Sequence, residues 1–235
     1  MKRLVILVSV YAIAMAFLES AVVVYLREIY YPGGFDFPLV AFWGKIATTE
    51  LFRELATIVM LLTVAFLAAR KRAEVFAWFI YAFAVWDIFY YVFLKLILGW
   101  PASLMTWDIL FLIPTTWTGP VIGPVINSLT MILLALLIIY YSGKGLKTSL
   151  RLNEWIILIV GSLITIFAYM LDYTSFMLEE HSLGKILFSP GCEEVMQRAS
   201  AYIPRSFNYY LFILGELMFL LGIALFNRRL QRSDG

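Results

Sequence analysis

Ionisable side chains interrupt the long apolar stretches of this 235-residue sequence. Burying one carboxylate in hydrocarbon costs roughly 2.5–3.5 kcal/mol even on the most lenient scale. Such residues therefore persist mainly where they pair with one another or bind a ligand. Seven candidates for a substrate-binding site follow from this argument: Glu19, Arg53, Glu54, Asp87, Tyr91, Asp108 and Glu216. Their chemistry would suit a proton, a cation or an amine.

The spacing of the charged residues near position 50 favours partial neutralisation. Glu50 and Glu54 are four residues apart and share a helix face, with Arg53 beside them. Arg53 can neutralise one of the two carboxylates through paired hydrogen bonds, which leaves the other available for a ligand.

A second four-residue step joins Asp87, Tyr91 and Lys95. A tyrosine hydroxyl can donate a hydrogen bond to a buried carboxylate. The long Lys95 side chain can extend toward the headgroup region while its stem stays in the apolar layer. This face therefore places a hydrogen-bond donor beside a buried carboxylate.

Small residues recur every four positions beside Glu19, at Ala12, Ala16 and Ser20. Such a stripe lets two helix backbones approach closely within a membrane. We therefore expect this edge of the first helix to face the rest of the protein.

Six apolar stretches are long enough to cross about 30 Å of hydrocarbon, which takes roughly 20 helical residues. They are approximately Leu4–Leu26, Thr49–Ala69, Glu74–Leu98, Gly119–Tyr141, Glu154–Asp172 and Phe207–Phe226. The first exceeds the roughly 7–15 apolar residues of a signal peptide, so we expect it to be retained. No strand-like alternation indicates a barrel. The sequence predicts one all-α domain over residues 1–235, a polytopic membrane helix bundle.

Basic residues fix the expected orientation of this bundle. They gather before the first span, at 70–72, at 144–151 and at 228–232, all on one side of a six-span topology. The positive-inside rule then places both termini in the cytoplasm. We expect the protein in a cell membrane, either an inner or a plasma membrane.

The acidic residues share a depth in this topology. At about 1.5 Å per residue, Glu19 and Glu54 lie roughly 10 and 8 Å below the outer ends of their spans. Asp87 and Glu216 lie roughly 16 and 13 Å below theirs. All four fall in the outer half of the membrane, so we predict an outward-facing acidic site.

The outer connections carry further expected structure. Phe35–Trp43 is aromatic and suits an interfacial segment. The apolar residues 107–114, which include Asp108, are too few to cross and predict a re-entrant or interfacial half-helix. The last outer loop, residues 173–205, is long enough to form a small cap.

The composition excludes several classes of function. Hydrophobic residues make up 63% of the chain and charged residues only 14%, against roughly 25% in soluble domains. A net charge of +2 gives no basic footprint for nucleic acid. A single cysteine, Cys192, and a single histidine, His181, exclude an internal disulfide and bis-histidine haem. We expect no metal site, and the sequence identifies neither a cofactor nor a catalytic motif.

Three functions remain open. The first is transport or binding of a small cationic solute or of protons by the buried carboxylates. The second is a membrane enzyme that uses carboxylates on an amphipathic or lipid substrate. The third is a non-catalytic subunit or assembly factor of a membrane complex. Beyond the lipid bilayer, partners could be a small-molecule or cation ligand, a second copy or a membrane complex. The charges also fit a purely structural role, in which Glu19 pairs with Arg53 and Asp87 pairs with Lys95.

Overall fold

A computed structural model describes residues 1–38, 45–111, 114–189 and 191–234, except for the side chains of Ala47 and Asp234. Its helices are α1 Lys2–Tyr30, α2 Lys45–Ala68, α3 Arg72–Leu98, α4 Ile122–Gly143, α5 Leu152–Leu178, α6 Leu183–Phe188, α7 Glu193–Ser200 and α8 Tyr209–Asp234. A two-stranded sheet consists of β1 Trp107–Phe111 and β2 Trp117–Pro120. Six of the helices are long and apolar enough to cross a membrane. The predicted all-α polytopic bundle is confirmed.

The half-helix predicted for residues 107–114 is wrong. Strand β1 pairs antiparallel with β2, and Asp108 lies opposite Gly119. The aromatic and β-branched side chains of Trp107 and Ile109 favour a strand. Pairing with β2 also satisfies backbone groups that a short apolar segment would leave without partners. Leu112 and Ile113 lie outside the described residues.

Several helix ends differ from the predicted span boundaries, and two of these differences change the outer connections. Gly119, predicted to begin the fourth span, belongs to β2, and α4 begins at Ile122. Helix α5 continues past Asp172 to Leu178, so the outer loop is shorter than predicted. Within that loop, α6 and α7 pack against the end of α5 through a separate apolar cluster. The predicted interfacial segment Phe35–Trp43 is described only as far as position 38, because residues 39–44 lie outside the described part of the chain.

Helix α3 packs against α1, α2 and α4, while α5 packs chiefly against α8 and α4 also touches α8. The small stripe on α1 faces the bundle as predicted, and its neighbour there is α3. Ala12, Ala16 and Ser20 are fully buried, and Ser20 Oγ lies 3.2 Å from the carbonyl oxygen of Tyr90, to which it donates.

Helices α5 and α8 approach closely where two glycines face each other. A Cβ atom on Gly215 would collide with Thr165 Oγ1 and lie 3.0 Å from the carbonyl oxygen of Gly161. Substituting either glycine would therefore push the two helices apart. This contact fixes the position of Glu216, the next residue on α8.

The basic ends of the helices meet at one end of the bundle. Glu74 accepts hydrogen bonds from the backbone N–H of Arg70 at 2.7 Å and from Ser142 Oγ at 2.5 Å. Glu154, at the start of α5, binds Arg229 near the end of α8. The Met1 side chain, next to the first basic cluster, lies against Gly143 at the end of α4. The four basic clusters thus lie on one side of the bundle, which is the arrangement that the positive-inside prediction requires.

Candidate functional site

The first group of predicted residues lies between α1 and α2. Arg53 Nε donates to both carboxylate oxygens of Glu50, at 2.8 and 2.7 Å, and Arg53 Nη1 donates to Glu19 across the helix interface. Glu54 is less tightly held, because its Oε1 atom lies 4.0 Å from Arg53 Nη2. The expected neutralisation by Arg53 is present, and it reaches two carboxylates, Glu50 and Glu19. This group is largely an ion-pair network between two helices.

Asp87, on α3, is bound to α4. Ser128 Oγ donates to Asp87 Oδ2 at 2.8 Å. The predicted alternative, a pair between Asp87 and Lys95, is wrong. Lys95 Nζ instead donates to the carbonyl oxygens of Gly99 and Pro101 at 2.9 and 2.8 Å, at the end of α3. A lysine that neutralises the last carbonyls of its own helix is a favourable C-terminal cap, which explains why it turns away from Asp87.

Glu216, on α8, is 7% exposed and faces α4. It accepts a hydrogen bond from Thr130 Oγ1 at 2.8 Å and another from Asn127 Nδ2. Asn127 Oδ1 in turn accepts from the hydroxyl of Tyr169, on α5, at 2.6 Å. Two helices, α4 and α5, therefore contribute neutral polar groups around a carboxylate on a third, α8.

Asp87 and Glu216 share one property that separates them from Glu19 and Glu50. Within the described residues, no lysine, arginine or histidine lies within 4.0 Å of either carboxylate. Their hydrogen-bond donors are hydroxyl and amide groups, which carry no net charge. Each is a carboxylate inside the bundle with no adjacent counter-charge.

Asp108, on β1, is 3% exposed and joins the hairpin to two helices. The Tyr91 hydroxyl donates to Asp108 Oδ2 at 3.1 Å, and Arg27 Nη2 lies 3.8 Å from Asp108 Oδ1. Burial raises the pKa of this carboxyl to about 6, although the nearby Arg27 charge and the Tyr91 hydrogen bond act in the opposite direction. Asp108 therefore changes its charge near neutral pH.

Arg27 is the main functional candidate that the sequence analysis missed. Its guanidinium carbon lies 3.8 Å from the centre of the Trp100 ring and 4.3 Å from that of Phe35. The only available signal was a charged residue in the last turn of the first span, where arginines commonly extend to the headgroups. The neutral partners Asn127, Ser128 and Thr130 were visible as polar residues in an apolar span.

The carboxylates at the hairpin and in the bundle form one electrostatically connected set. Asp87 lies close enough to Asp108 for their charges to interact, and both Asp87 and Glu216 act on Tyr169. The structure thus brings together four of the predicted residues: Asp87, Tyr91, Asp108 and Glu216. Glu19, Arg53 and Glu54 form their own group on the α1 and α2 side.

Two surface cavities lie away from this connected set. One of about 530 Å³ is lined by the end of α5 and the start of α8, including Asp172 and Arg205. The other, of about 540 Å³, is an apolar groove between α1 and Phe93 of α3. In the described parts of the chain, no three His, Cys, Asp or Glu side chains are grouped so that they could hold a metal ion.

No known protein family, curated protein or solved structure matches this chain. Its function is therefore inferred from the geometry of its buried charged and polar side chains.

Proposed function

We propose that this multi-pass membrane protein binds and transports protons or a small cationic solute, with Asp87 and Glu216 as the groups that take up the charge. The observation that carries the proposal is that both carboxylates have neutral donors alone within 4.0 Å among the described residues. By the positive-inside rule we place the protein in the cell membrane with its termini in the cytoplasm and this site toward the outside.

Asp87 and Glu216 differ from the acids beside Arg53 in how their charge is neutralised. A carboxylate in the membrane interior is costly unless an opposite charge or a proton neutralises it. Glu19 and Glu50 obtain that charge from Arg53. Asp87 and Glu216 have hydrogen bonds that orient them but no adjacent cation among the described residues. A proton or a mobile cation would therefore neutralise their charge.

Hydrogen-bonding side chains also lie near each of these carboxylates. Tyr91 connects Asp108 at the hairpin to α3, which carries Asp87 four residues away. Tyr169 lies within electrostatic range of Asp87 and reaches Glu216 through Asn127. Hydroxyl groups can both donate and accept, which suits them to pass a proton or to replace water around a cation.

Flux through reconstituted protein tests the proposal. Purified protein in liposomes would be assayed for proton, sodium, potassium and methylammonium flux with entrapped indicators. We expect Asp87→Asn to abolish the flux that the wild type supports and Glu216→Gln to reduce it strongly, since each amide keeps the shape but cannot hold the charge. We expect a smaller loss for Glu54→Gln, because Arg53 already lies beside Glu54.

The matched control is Glu193→Gln, which makes the same carboxylate-to-amide change on the exposed surface of α7. This variant should transport at the wild-type rate. Unchanged flux in both Asp87→Asn and Glu216→Gln, with folded protein in each, would contradict the proposal. Absence of all flux in the wild type would contradict it as well.

A further inference from the structure

The guanidinium of Arg27 is buried without a hydrogen bond to any described residue. Arg27 is 8% exposed, and its Nη1 atom is fully covered and lacks an acceptor. Its nearest carboxylate oxygen, Asp108 Oδ1, is 3.8 Å from Nη2, which is beyond hydrogen-bond distance. An arginine carries five N–H donors, and a buried donor without an acceptor costs free energy.

Two aromatic rings contact this guanidinium. Trp100 and Phe35 lie over it at 3.8 and 4.3 Å, and such contacts stabilise a desolvated cation by about 2 kcal/mol. The two rings are nearly perpendicular to each other, at 88°, so at most one of them stacks on a face of the guanidinium. Neither ring supplies an oxygen acceptor for the N–H groups of Arg27. The planar donor edge of a guanidinium is suited to paired hydrogen bonds with a carboxylate.

We infer that Arg27 and Asp108 together bind a small zwitterion, whose carboxylate accepts hydrogen bonds from the unpartnered N–H groups of Arg27 and whose ammonium donates to Asp108. This inference rests on the proposed function, because the ammonium group of the zwitterion is the cation that the connected carboxylates receive. The solute would be an amine that also bears a carboxylate, such as an α-amino acid.

The spacing of the two protein charges supports this class of ligand. Arg27 and Asp108 present a positive and a negative group side by side, 3.8 Å apart. An α-amino acid carries its ammonium and carboxylate on the same carbon, so it can lie antiparallel against the pair and meet both groups at once. An amine alone would leave Arg27 without an acceptor, and an anion alone would bring a second negative charge beside Asp108.

The tyrosine below the pair completes the site. Tyr91 donates to the second oxygen of Asp108, which holds Oδ1 toward Arg27. Asp87 lies farther along α3 and interacts electrostatically with Asp108. A ligand ammonium released from Asp108 would therefore next meet another carboxylate.

Binding of matched probes to the wild-type protein tests this directly. Isothermal titration in detergent would compare glycine with methylammonium, which lacks the carboxylate, and acetate, which lacks the amine. We expect glycine to bind about tenfold or more tightly than either fragment, the ratio that one charge-assisted hydrogen bond provides. Equal binding of glycine and methylammonium, or no binding of glycine, would overturn the inference.

Variants of Arg27 test whether this residue causes the preference for glycine. Arg27→Gln should weaken glycine binding about tenfold or more and leave methylammonium binding within about twofold, and Arg27→Lys should restore only part of the loss because lysine lacks the planar donor edge. Arg232→Gln, at an exposed arginine near the end of α8, is the control and should bind glycine as the wild type does. If Arg27→Gln does not fold, the comparison of the three probes on the wild type still decides.

The two proposals can fail separately. If glycine shows no preference but flux still depends on Asp87, the zwitterion inference is wrong and the proposed function stands. If Asp87→Asn and Glu216→Gln both leave flux unchanged, the proposed function is wrong whatever the probes show.

Discussion

Two buried ion pairs lie at opposite ends of this bundle, and their surroundings differ in kind. At the basic end, Arg229 donates to both oxygens of Glu154 at 2.8 and 2.9 Å and to the carbonyl oxygen of Ser149 at 3.2 Å. Glu154 also accepts from the backbone N–H of Arg151 at 2.8 Å. At the other end, Arg27 lies 3.8 Å from Asp108 and donates no hydrogen bond to a described residue.

The difference separates a structural use of buried charge from a binding use. The pair of Glu154 and Arg229 joins the start of α5 to the end of α8, and each group has its hydrogen-bonding capacity well occupied. A ligand would therefore find no unused hydrogen-bonding groups at this pair. Arg27 and Asp108 keep unused capacity, and Asp87 and Glu216 have no counter-charge among the described residues. Burial of a charge is therefore a weak indicator of function in this protein, and unused bonding capacity is a better one.

Breaking the structural pair should give the largest effect on stability. Arg229→Met leaves the 1%-exposed Glu154 without its cation, and removing one partner of a buried pair costs about 3–5 kcal/mol. Thermal and denaturant unfolding in detergent would measure the loss. The double variant Arg229→Met, Glu154→Leu should recover most of it, since neither charge then remains. If Arg229→Met is as stable as the wild type, the ion pair does not contribute to the stability of the protein.

The corresponding change at the other end should cost less. Arg27→Met loses the contacts with Trp100 and Phe35 but no hydrogen bond, so we expect a loss of about 2 kcal/mol or less in the same unfolding assay. Asp108 keeps its hydrogen bond from Tyr91 and can take up a proton once the cation is gone. A loss equal to that of Arg229→Met would mean that the two ends do not differ as described.

The smallest predicted effect is a dependence of zwitterion binding on pH. Burial raises the pKa of Asp108 to about 6, so this carboxyl is charged above that pH and loses its charge as the pH falls through it. The groups that face it are Arg27 from α1 and Tyr90, Tyr91 and Asp87 from α3. Glycine affinity should therefore fall a few-fold between about pH 7 and 5.5. Binding that stays constant over this range would exclude Asp108 as the partner of the ammonium.

The variant Asp108→Asn tests whether Asp108 causes the pH dependence of glycine binding. It should bind glycine weakly at every pH, with no change between pH 7 and 5.5, because the amide does not titrate. A pH dependence that persists in this variant would belong to another group.

Much of the fold could be predicted because hydropathy and length determine which segments cross a membrane. The hairpin could not, because a short apolar run such as residues 107–111 suits a strand as well as a half-helix until its partner is known. The depth estimated from position along each span placed Asp87 and Glu216 at about the same level in the membrane. The rotation of each helix was not predictable, so Asn127 and Ser128 could not be identified as their partners. Arg27 was missed because its aromatic neighbours come from two separate connections.

Chemical labelling of the carboxyl groups tests the central claim most directly. A hydrophobic carbodiimide reacts with membrane-embedded carboxyl groups that can take up a proton, and mass spectrometry identifies the modified residues. We predict that Asp87 or Glu216 is labelled much faster than Glu154, and that a transported cation slows the labelling. Labelling of Glu154 at the same rate or faster, or no labelling of Asp87 and Glu216 in protein that is still folded, would contradict the account.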